Sequence, residues 1–266
     1  IDTILNEAVV GELIAESDVV YHLAAAVGVA YVIENILKSL QINIRGTEII
    51  FEQANRYKRK VVLFSTSEVY GKSEEFPFHE EQDRLLGPTT INRWSYAVAK
   101  SLDEILALAY HREKKLPILV VRCFNTVGPR QTGQYGMVLP RFVRQALLEQ
   151  PLIVFGDGNQ SRCFSSVYDV VRGVIDLANA EDCWGEIFNI GSPNEITILD
   201  LAKKVLQFTG SSSTIEFLPY EKAYERGFED MRRRVPDLTK INKAIGYEPS
   251  VGLDELVKSV IEYFEN

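Results

Sequence analysis

The sequence is poor in the residues that staple a fold or ligate a metal: 266 residues hold three cysteines, three histidines and two methionines. Cys123, Cys163 and Cys183 stand far apart, and an odd number excludes a fully paired disulfide framework within one chain. They read as reduced core residues of a cytosolic, cytoplasmic protein. Scattered histidines and cysteines offer no ligand spacing, so no metal site is expected. No apolar run approaches the ~20 residues of a membrane-spanning helix, and the amino terminus lacks the basic and apolar regions of a signal peptide. The expectation is a soluble protein with no membrane partner. Positive charge is scarce too: 29 Lys and Arg against 37 Asp and Glu leave a net charge of -8, a field that repels nucleic acid. A small anion held in a local basic pocket stays compatible with that field. Internal repeats and low-complexity tracts are absent. The remainder is ordinary globular material, 46% hydrophobic and 25% charged, enough for one large core or two small ones. The sequence opens at Ile1, a few residues before a helix-like stretch, and is read as a fragment of a longer chain.

Three short apolar runs set the organisation: Asp18-Val-Val-Tyr-His-Leu-Ala-Ala, Lys60-Val-Val-Leu-Phe-Ser-Thr and Ile118-Leu-Val-Val-Arg-Cys-Phe. Unbroken runs of this length suit strands covered on both faces. Between them, residues 33–55 and 95–111 repeat apolar positions at three- and four-residue steps (Ile42, Ile49, Ile50; Leu102, Ile105, Leu106, Ala109), which predicts helices. Alternating strands and helices imply a parallel sheet with right-handed crossovers. After Phe124 comes a Gly-, Pro- and Gln-rich loop, a helix predicted over 139–149, a strand at Glu186-Ile-Phe-Asn-Ile-Gly, and a helix over 197–208. Thr197 is the expected N-cap of that last helix, with Asp200 three residues on and Gly210 just past its end. A second, smaller lobe is expected in this half.

Tyr96 and Lys100 form the sharpest local signal. At i, i+4 on a helix they share one face about a turn apart, and a nearby ammonium favours the phenolate, lowering the tyrosine toward a useful general base. Such a pair alone is common on exposed helices. Its context is Phe64-Ser-Thr-Ser-Glu-Val-Tyr-Gly71 at the carboxyl end of a predicted strand, where open α/β sheets place their ligands. Three hydroxyls and a carboxylate there could position a substrate hydroxyl, or could simply close a turn. The two motifs in order on successive elements favour a site.

His22-Leu-Ala-Ala, Asn43-x-x-Gly-Thr, Ser65-Thr-Ser-Glu-Val-Tyr-Gly, Tyr96-x-x-x-Lys100, Arg122-x-Phe-Asn-x-x-Gly-Pro-Arg130, Phe155-Gly-Asp-Gly-Asn-Gln-Ser-Arg162, Phe188-Asn-Ile-Gly and Arg234-Val-Pro-Asp together resemble the extended short-chain dehydrogenase/reductases, the NAD-dependent epimerase/dehydratase family. The resemblance covers essentially the whole chain. It implies an α/β fold, a Rossmann-type doubly wound parallel sheet with its first βαβ unit missing, and a smaller carboxy-terminal α/β substrate lobe. The division would fall between an incomplete NAD-binding domain (1–125) and a nucleotide-sugar-binding lobe (126–266) that returns some segments to the first. The family's opening Gly-x-x-Gly-x-x-Gly turn and the acidic strand that follows it are not in this sequence, so NAD rather than NADP is a family expectation alone.

The resemblance also implies roles. Cofactor contacts would be Ala24, Ala25, Asn43, Ser65, Tyr96, Lys100 and Cys123. Catalysis would fall to Tyr96, Lys100, Thr66, Ser67 and Glu68. Asn125, Arg162 and Arg234 match positions near the diphosphate and sugar, and Val138, Arg141 and Phe155 the nucleobase side of a UDP-sugar; Arg232 and Arg233 read as a solvated turn, and His22 as structural. The sugar 4,6-dehydratases carry Thr-Asp-Glu where this chain has Thr66-Ser67-Glu68, which argues against dehydration. Thr-Ser-Glu, the run Arg93-Trp-Ser-Tyr-Ala and Arg234 look instead like the UDP-glucuronate decarboxylases, with the UDP-sugar 4-epimerases as the alternative. A non-enzyme alternative, an inert fragment or scaffold relative, is disfavoured by the presence of Tyr96, Lys100, Thr66 and Glu68 together. The family further implies a homodimer packed through the two long helices.

Overall fold

The computed structural model describes residues 2–133, 137–223 and 230–265. In chain order the first half contains α1 (Glu7–Ala15), β1 (Val19–His22), α2 (Val29–Glu34), α3 (Ile36–Leu40), a π-helical turn (Gln41–Arg45), α4 (Gly46–Tyr57), β2 (Lys60–Thr66), α5 (Ser95–Lys114) and β3 (Ile118–Cys123). The second half contains β4 (Thr126–Val127), α6 (Val138–Leu147), β5 (Leu152–Phe155), β6 (Ser161–Cys163), β7 (Ser165–Ser166), α7 (Val167–Asn179), β8 (Ile187–Ile190) and β9 (Glu195–Thr197). It closes with α8 (Ile198–Thr209), β10 (Ile215–Leu218), α9 (Tyr220–Ala223), α10 (Thr239–Ile245) and α11 (Leu253–Glu265).

Strands β1, β2, β3 and β8 form one parallel sheet in that order. Alternation along the two central strands explains why their sequence runs are unbroken. Val61 and Leu63 of β2, with Ile118 and Val120 of β3, point toward α1, α4 and α5, among Ile14, Ile49, Phe51 and Ala107. Val62, Leu119 and Val121 point the other way, among Val170, Val174 and Leu177 of α7 and Ile241 of α10. Each such side chain, fully removed from water, contributes roughly 1.5–3 kcal/mol. The sheet is therefore doubly wound, with β8 returning to it from the second half of the chain. Among the described residues strand β1 is the edge of this sheet, and Tyr21 is 44% exposed.

The second core is built from α6, α8, α11 and β5, around Phe142, Leu152, Leu201, Val205 and Val257. Helix α8 starts as expected, with the Thr197 hydroxyl accepting from the Asp200 amide at 3.0 Å, and ends at Gly210 in the left-handed region, φ 64°. The helix expected over 33–55 is broken. Asn35 leaves helical geometry (φ -129°, ψ 48°), and its side-chain amide donates to the Tyr31 carbonyl at 3.1 Å. Six residues on, the chain widens into the π-turn. No helix among the described residues is long and apolar enough to cross a membrane.

Candidate active site

A cavity of about 380 Å³ lies between the carboxyl end of the four-stranded sheet and the second core. Strand β2 delivers Ser65 and Thr66 to its floor and then turns sharply through a 3-10 segment, Ser67–Tyr70. The Thr66 hydroxyl accepts from the Glu68 amide at 3.2 Å, fixing the turn. Gly71 ends it at φ 64°, where a Cβ would collide with the Leu85 carbonyl, so glycine is required.

Behind the floor lies a buried polar lattice. Arg122 of β3 forks onto Glu104 of α5 (3.0 and 2.8 Å) and donates to the Tyr70 hydroxyl and the Glu80 carbonyl, both at 2.9 Å. Ser65 donates to the same Glu104 at 2.5 Å. The lattice ties the ends of β2 and β3 to α5, and so fixes the helix that carries Tyr96 relative to Thr66. Buried charges hold such positions when paired and hydrogen-bonded on all sides.

Tyr96, in the first turn of α5, lines the cavity, while Lys100 lies one turn deeper, buried and paired with Asp103 at 2.8 Å. Burial pushes the Tyr96 phenol up, and the Glu68 charge adds to that. The lowering expected from Lys100 does not govern the phenol here: Cys123 and Asp103 add to the rise, and Arg93 opposes it. Burial likewise raises the Cys123 thiol to about 12, against the opposing Lys100 charge, which keeps it neutral.

Glu68 sits between two guanidiniums: Arg93 Nη1 at 2.5 Å and Arg234 Nη1 at 3.5 Å. Burial would raise its carboxyl, but Arg93 and then Arg234 hold it down to about 2. Burial lowers Arg234 to about 10, with the like charge of Arg162 adding to the effect. On the opposite wall, Arg162 pairs with Asp230 at 3.0 Å, and Asp230 also accepts from the Tyr220 hydroxyl at 3.1 Å. The Arg141 guanidinium carbon sits over Phe155, 4.2 Å from the ring centroid. Counting Arg93, Arg141, Arg162 and Arg234 against Glu68 and Asp230, the cavity carries an excess of two positive charges in a chain of net charge -8.

Of the residues singled out in the sequence, Ser65, Thr66, Ser67, Glu68, Tyr96, Cys123, Asn125, Val138, Arg141, Phe155, Arg162 and Arg234 all line this cavity. Lys100, Asn43, Ala24 and Ala25 do not. Asn43, in the π-turn, bonds both main-chain groups of Ala26, accepting from its amide at 2.7 Å and donating to its carbonyl at 3.1 Å. Ala24 is exposed and Ala25 half-buried beside the β1 edge. Arg232 and Arg233 are exposed, the latter on Glu195. Sequence reasoning missed Asp230 and Tyr220, and it named Arg93 only as part of a run shared with the decarboxylases, with no role in the site. Arg93 had a signal, three residues before Tyr96 at the entry to the same helix. Among the described residues no group of three or more His, Cys, Asp or Glu side chains could hold a metal ion.

The family model for GDP-mannose 4,6 dehydratase matches residues 2–260. The chain belongs to this family of NAD-dependent epimerases and dehydratases. Among its relatives in the family, the UDP-N-acetyl-alpha-D-glucosaminuronate decarboxylase of Bacillus cytotoxicus is 44% identical over 263 residues, 98% of this chain and 81% of that protein. UDP-glucuronic acid decarboxylase 2 of Arabidopsis thaliana is 35% identical over 260 residues, but the match spans only 56% of its length. Among solved structures, UDP-glucuronic acid 4-epimerase from Bacillus cereus, in complex with UDP-glucuronic acid and NAD, superposes with a TM-score of 0.89 at 29% identity, covering 99% of this chain and 80% of that one.

The residues present fit the nicotinamide end of the family's dinucleotide. Asn125 Oδ1 is buried without a hydrogen-bond partner among the described residues, an acceptor that a ligand amide or hydroxyl would satisfy. Ala24, exposed, and Ala25, half-buried, follow β1 at the carboxyl end of a parallel strand, where such sheets bind dinucleotides.

Proposed function

We propose that this chain carries the catalytic machinery of an NAD-dependent UDP-uronate decarboxylase, working through a transient ketone at sugar C4. The observation that carries the reading is Glu68 held ionised between Arg93 and Arg234 at the cavity floor beside Tyr96. Two guanidiniums around one carboxylate leave net positive charge for a second one, the C6 acid of the sugar. The decarboxylases of Bacillus cytotoxicus and Arabidopsis thaliana support the substrate class.

Ser65, Tyr96 and Cys123, which line the cavity, would hold the nicotinamide end, with Lys100 buried behind Tyr96 and with Ala24, Ala25 and Asn43 shaping the backbone that approaches it. Bound NAD supplies a hydride acceptor and donor at C4 and a positive charge beside Tyr96. Tyr96 takes the proton of the 4-hydroxyl, and Thr66 hydrogen-bonds the same oxygen. Oxidation at C4 makes the C6 acid a β-keto acid, whose C5–C6 bond breaks with its electron pair passing to the C4 oxygen. Tyr96 and Thr66 face the charge that develops there, and C5 takes up one proton in place of carbon dioxide. Glu68, ionised throughout, anchors Arg234 instead of donating a proton, and Ser67 stands where a dehydratase needs its acid. Asn125, Arg162 and Arg234 serve the diphosphate and sugar; Val138, Arg141 and Phe155 form the base side.

The 4-epimerase reading uses the same Tyr96, Lys100 and Thr66, and rests on the likeness to the Bacillus cereus epimerase. Residues 1–125 form the cofactor half in this proposal, with 126–266 forming the substrate half and lending β8 back. The free thiols of Cys123, Cys163 and Cys183 fit a cytoplasmic setting. Val98, Leu102 and Ile105 make an exposed apolar stripe on α5 beside Leu37 of α3, the face of a homodimer. The test is mass spectrometry of the nucleotide sugar after incubating the full protein with NAD and either UDP-glucuronate or its 2-acetamido analogue. Loss of carbon dioxide supports decarboxylation; an isomer of unchanged mass establishes the epimerase; no turnover of either rejects both.

A further inference from the structure

The charged side chains around the cavity pair off in two groups. On the floor Arg93 meets Glu68 at 2.5 Å and Arg234 meets it at 3.5 Å; on the opposite wall Arg162 meets Asp230 at 3.0 Å. The groups come together at Arg234 and Arg162, whose like charges oppose each other, and the Asp230 charge favours the Arg234 cation. Two guanidiniums kept this close, with the Arg162 side chain only 6% exposed, need both a counter-charge and a fixed place. Arg162 has that place. Its Nη1 donates to the Ser161 carbonyl at 2.7 Å and to the Arg232 carbonyl at 3.5 Å, while Nη2 donates to Asp230.

Asp230 is engaged on both oxygens. Oδ1 accepts from the Met231 amide at 2.8 Å, and Oδ2 accepts from Arg162 and from the Tyr220 hydroxyl at 3.1 Å. A carboxylate held by three donors is not a spare charge waiting for an incoming anion to displace it. The Tyr220 ring in turn lies against Gly156, where a Cβ would fall 2.6 Å from its Cε2, and the Gly156 amide donates to the Leu218 carbonyl at 2.9 Å. Gly156 follows Phe155, the ring under the Arg141 guanidinium. One carboxylate therefore links Arg162 to the turn at the end of β5.

We infer that Asp230 is a positioning residue for nucleotide binding: it holds Arg162 beside Arg234, set for the diphosphate, and ties it through Tyr220 to the base side of the cavity. The inference rests on the reading of Arg162 as a diphosphate contact. Two effects of Asp230 oppose each other. Its charge repels a diphosphate, whereas its hydrogen bond spares the complex the cost of ordering a long side chain as the ligand arrives. Ordering wins here, because without Asp230 the Arg162 guanidinium would also turn away from the like charge of Arg234. Asp230 touches no ligand in this scheme and acts through Arg162.

The test is Asp230→Ala in the full protein, titrated calorimetrically with UDP and, by displacement, with uridine. UDP should bind about tenfold more weakly, the factor one charge-assisted hydrogen bond represents, and uridine as in the wild type. On the turnover substrate KM should rise more than kcat falls, because Tyr96 and Thr66 stay in place. Should that variant not fold, Asp230→Asn keeps the shape and Tyr220→Phe keeps the ring; each should lose part of the same preference for UDP over uridine. Equal losses for UDP and uridine would reduce Asp230 to packing, and tighter UDP binding would leave it a repulsive charge alone; either overturns the inference. Arg162→Gln, measured alongside, separates the two readings. If it loses affinity for UDP and the Asp230 variants do not, Asp230 is dismissed while the Arg162 contact stands. If Arg162→Gln binds UDP like the wild type, the diphosphate contact falls and the inference with it. None of these titrations needs turnover, so a protein inert toward UDP-uronates still decides them.

Discussion

Arg93 and Glu68 meet at 2.5 Å across the join between the turn that ends β2 and the turn that opens α5, both nearly buried. The pair fixes the two motif-bearing segments to each other directly beneath the cavity. Removing one partner of a buried pair leaves the other charge stranded, at a cost of about 3–5 kcal/mol. Arg93→Ala is therefore expected to lose stability on that scale in urea unfolding. Misplacing Glu68, and Arg234 with it, should lower kcat/KM on the order of 100-fold. Arg93→Lys keeps the charge but not the fork, and should fall between. A variant as stable and active as the wild type would remove Arg93 from the site.

Much of this frame is readable from the sequence because β2 and β3 bury both faces, and Thr197 caps α8 through a neighbour three residues away. What is hidden is what depends on distant partners. Arg93 finds Glu68 25 residues earlier, and Arg162 finds Asp230 68 residues later. Asp103 looks like any solvated helix carboxylate at i+3 from a lysine, and only the packed β1, α4 and β3 around it make it buried. The break in the helix over 33–55 is likewise a side-chain choice: Asn35 bonds backward to Tyr31, and Asn43 turns inward to Ala26, and hydrophobic spacing records neither.

The pH dependence of folding follows from two groups whose proton affinity is depressed on folding. Glu68 falls from 4.5 to about 2, so its contribution is fully present above about 4.5 and is lost as pH drops toward 2. His22 falls from 6.5 to about 3; below about 6.5 the unfolded chain takes a proton that the folded one refuses, so stability declines from there downward. Thermal midpoints should thus fall from pH 7 to 3. Glu68→Gln should lie below the wild type at pH 7 and converge with it in acid, and His22→Gln should flatten the slope between pH 6.5 and 4.5. A constant gap between Glu68→Gln and wild type across that range would contradict the assigned ionisation.

The apolar stripe on α5 makes its own prediction. Val98, Leu102 and Ile105 are 46%, 37% and 51% exposed and repeat at helical spacing, with Leu37 at 71% nearby. Light scattering on the full protein should give twice the chain mass, and Val98→Asp with Ile105→Glu should halve it while far-UV circular dichroism is unchanged. A wild-type protein that elutes as a monomer at micromolar concentration would refute the interface.

Asn43 tests whether the π-turn has a purpose at the cavity rim. One side chain satisfies both the amide and the carbonyl of Ala26, a residue only 7% exposed. Asn43→Ala would leave two buried main-chain groups unpaired, each worth about 1–3 kcal/mol. Val27 and Gly28, which follow immediately, line the cavity, so loosening Ala26 loosens one wall of the site without touching Tyr96 or Glu68. Amide exchange at Ala26 should accelerate by at least the factor that one such hydrogen bond represents, about tenfold. KM for the sugar nucleotide should rise more than kcat falls. Asn43→Asp separates the two bonds: its carboxylate still accepts from the Ala26 amide but repels the carbonyl, so it should recover only part of the protection. If both variants exchange like the wild type at Ala26, the loop is held by its own packing and the π-turn serves α4 alone.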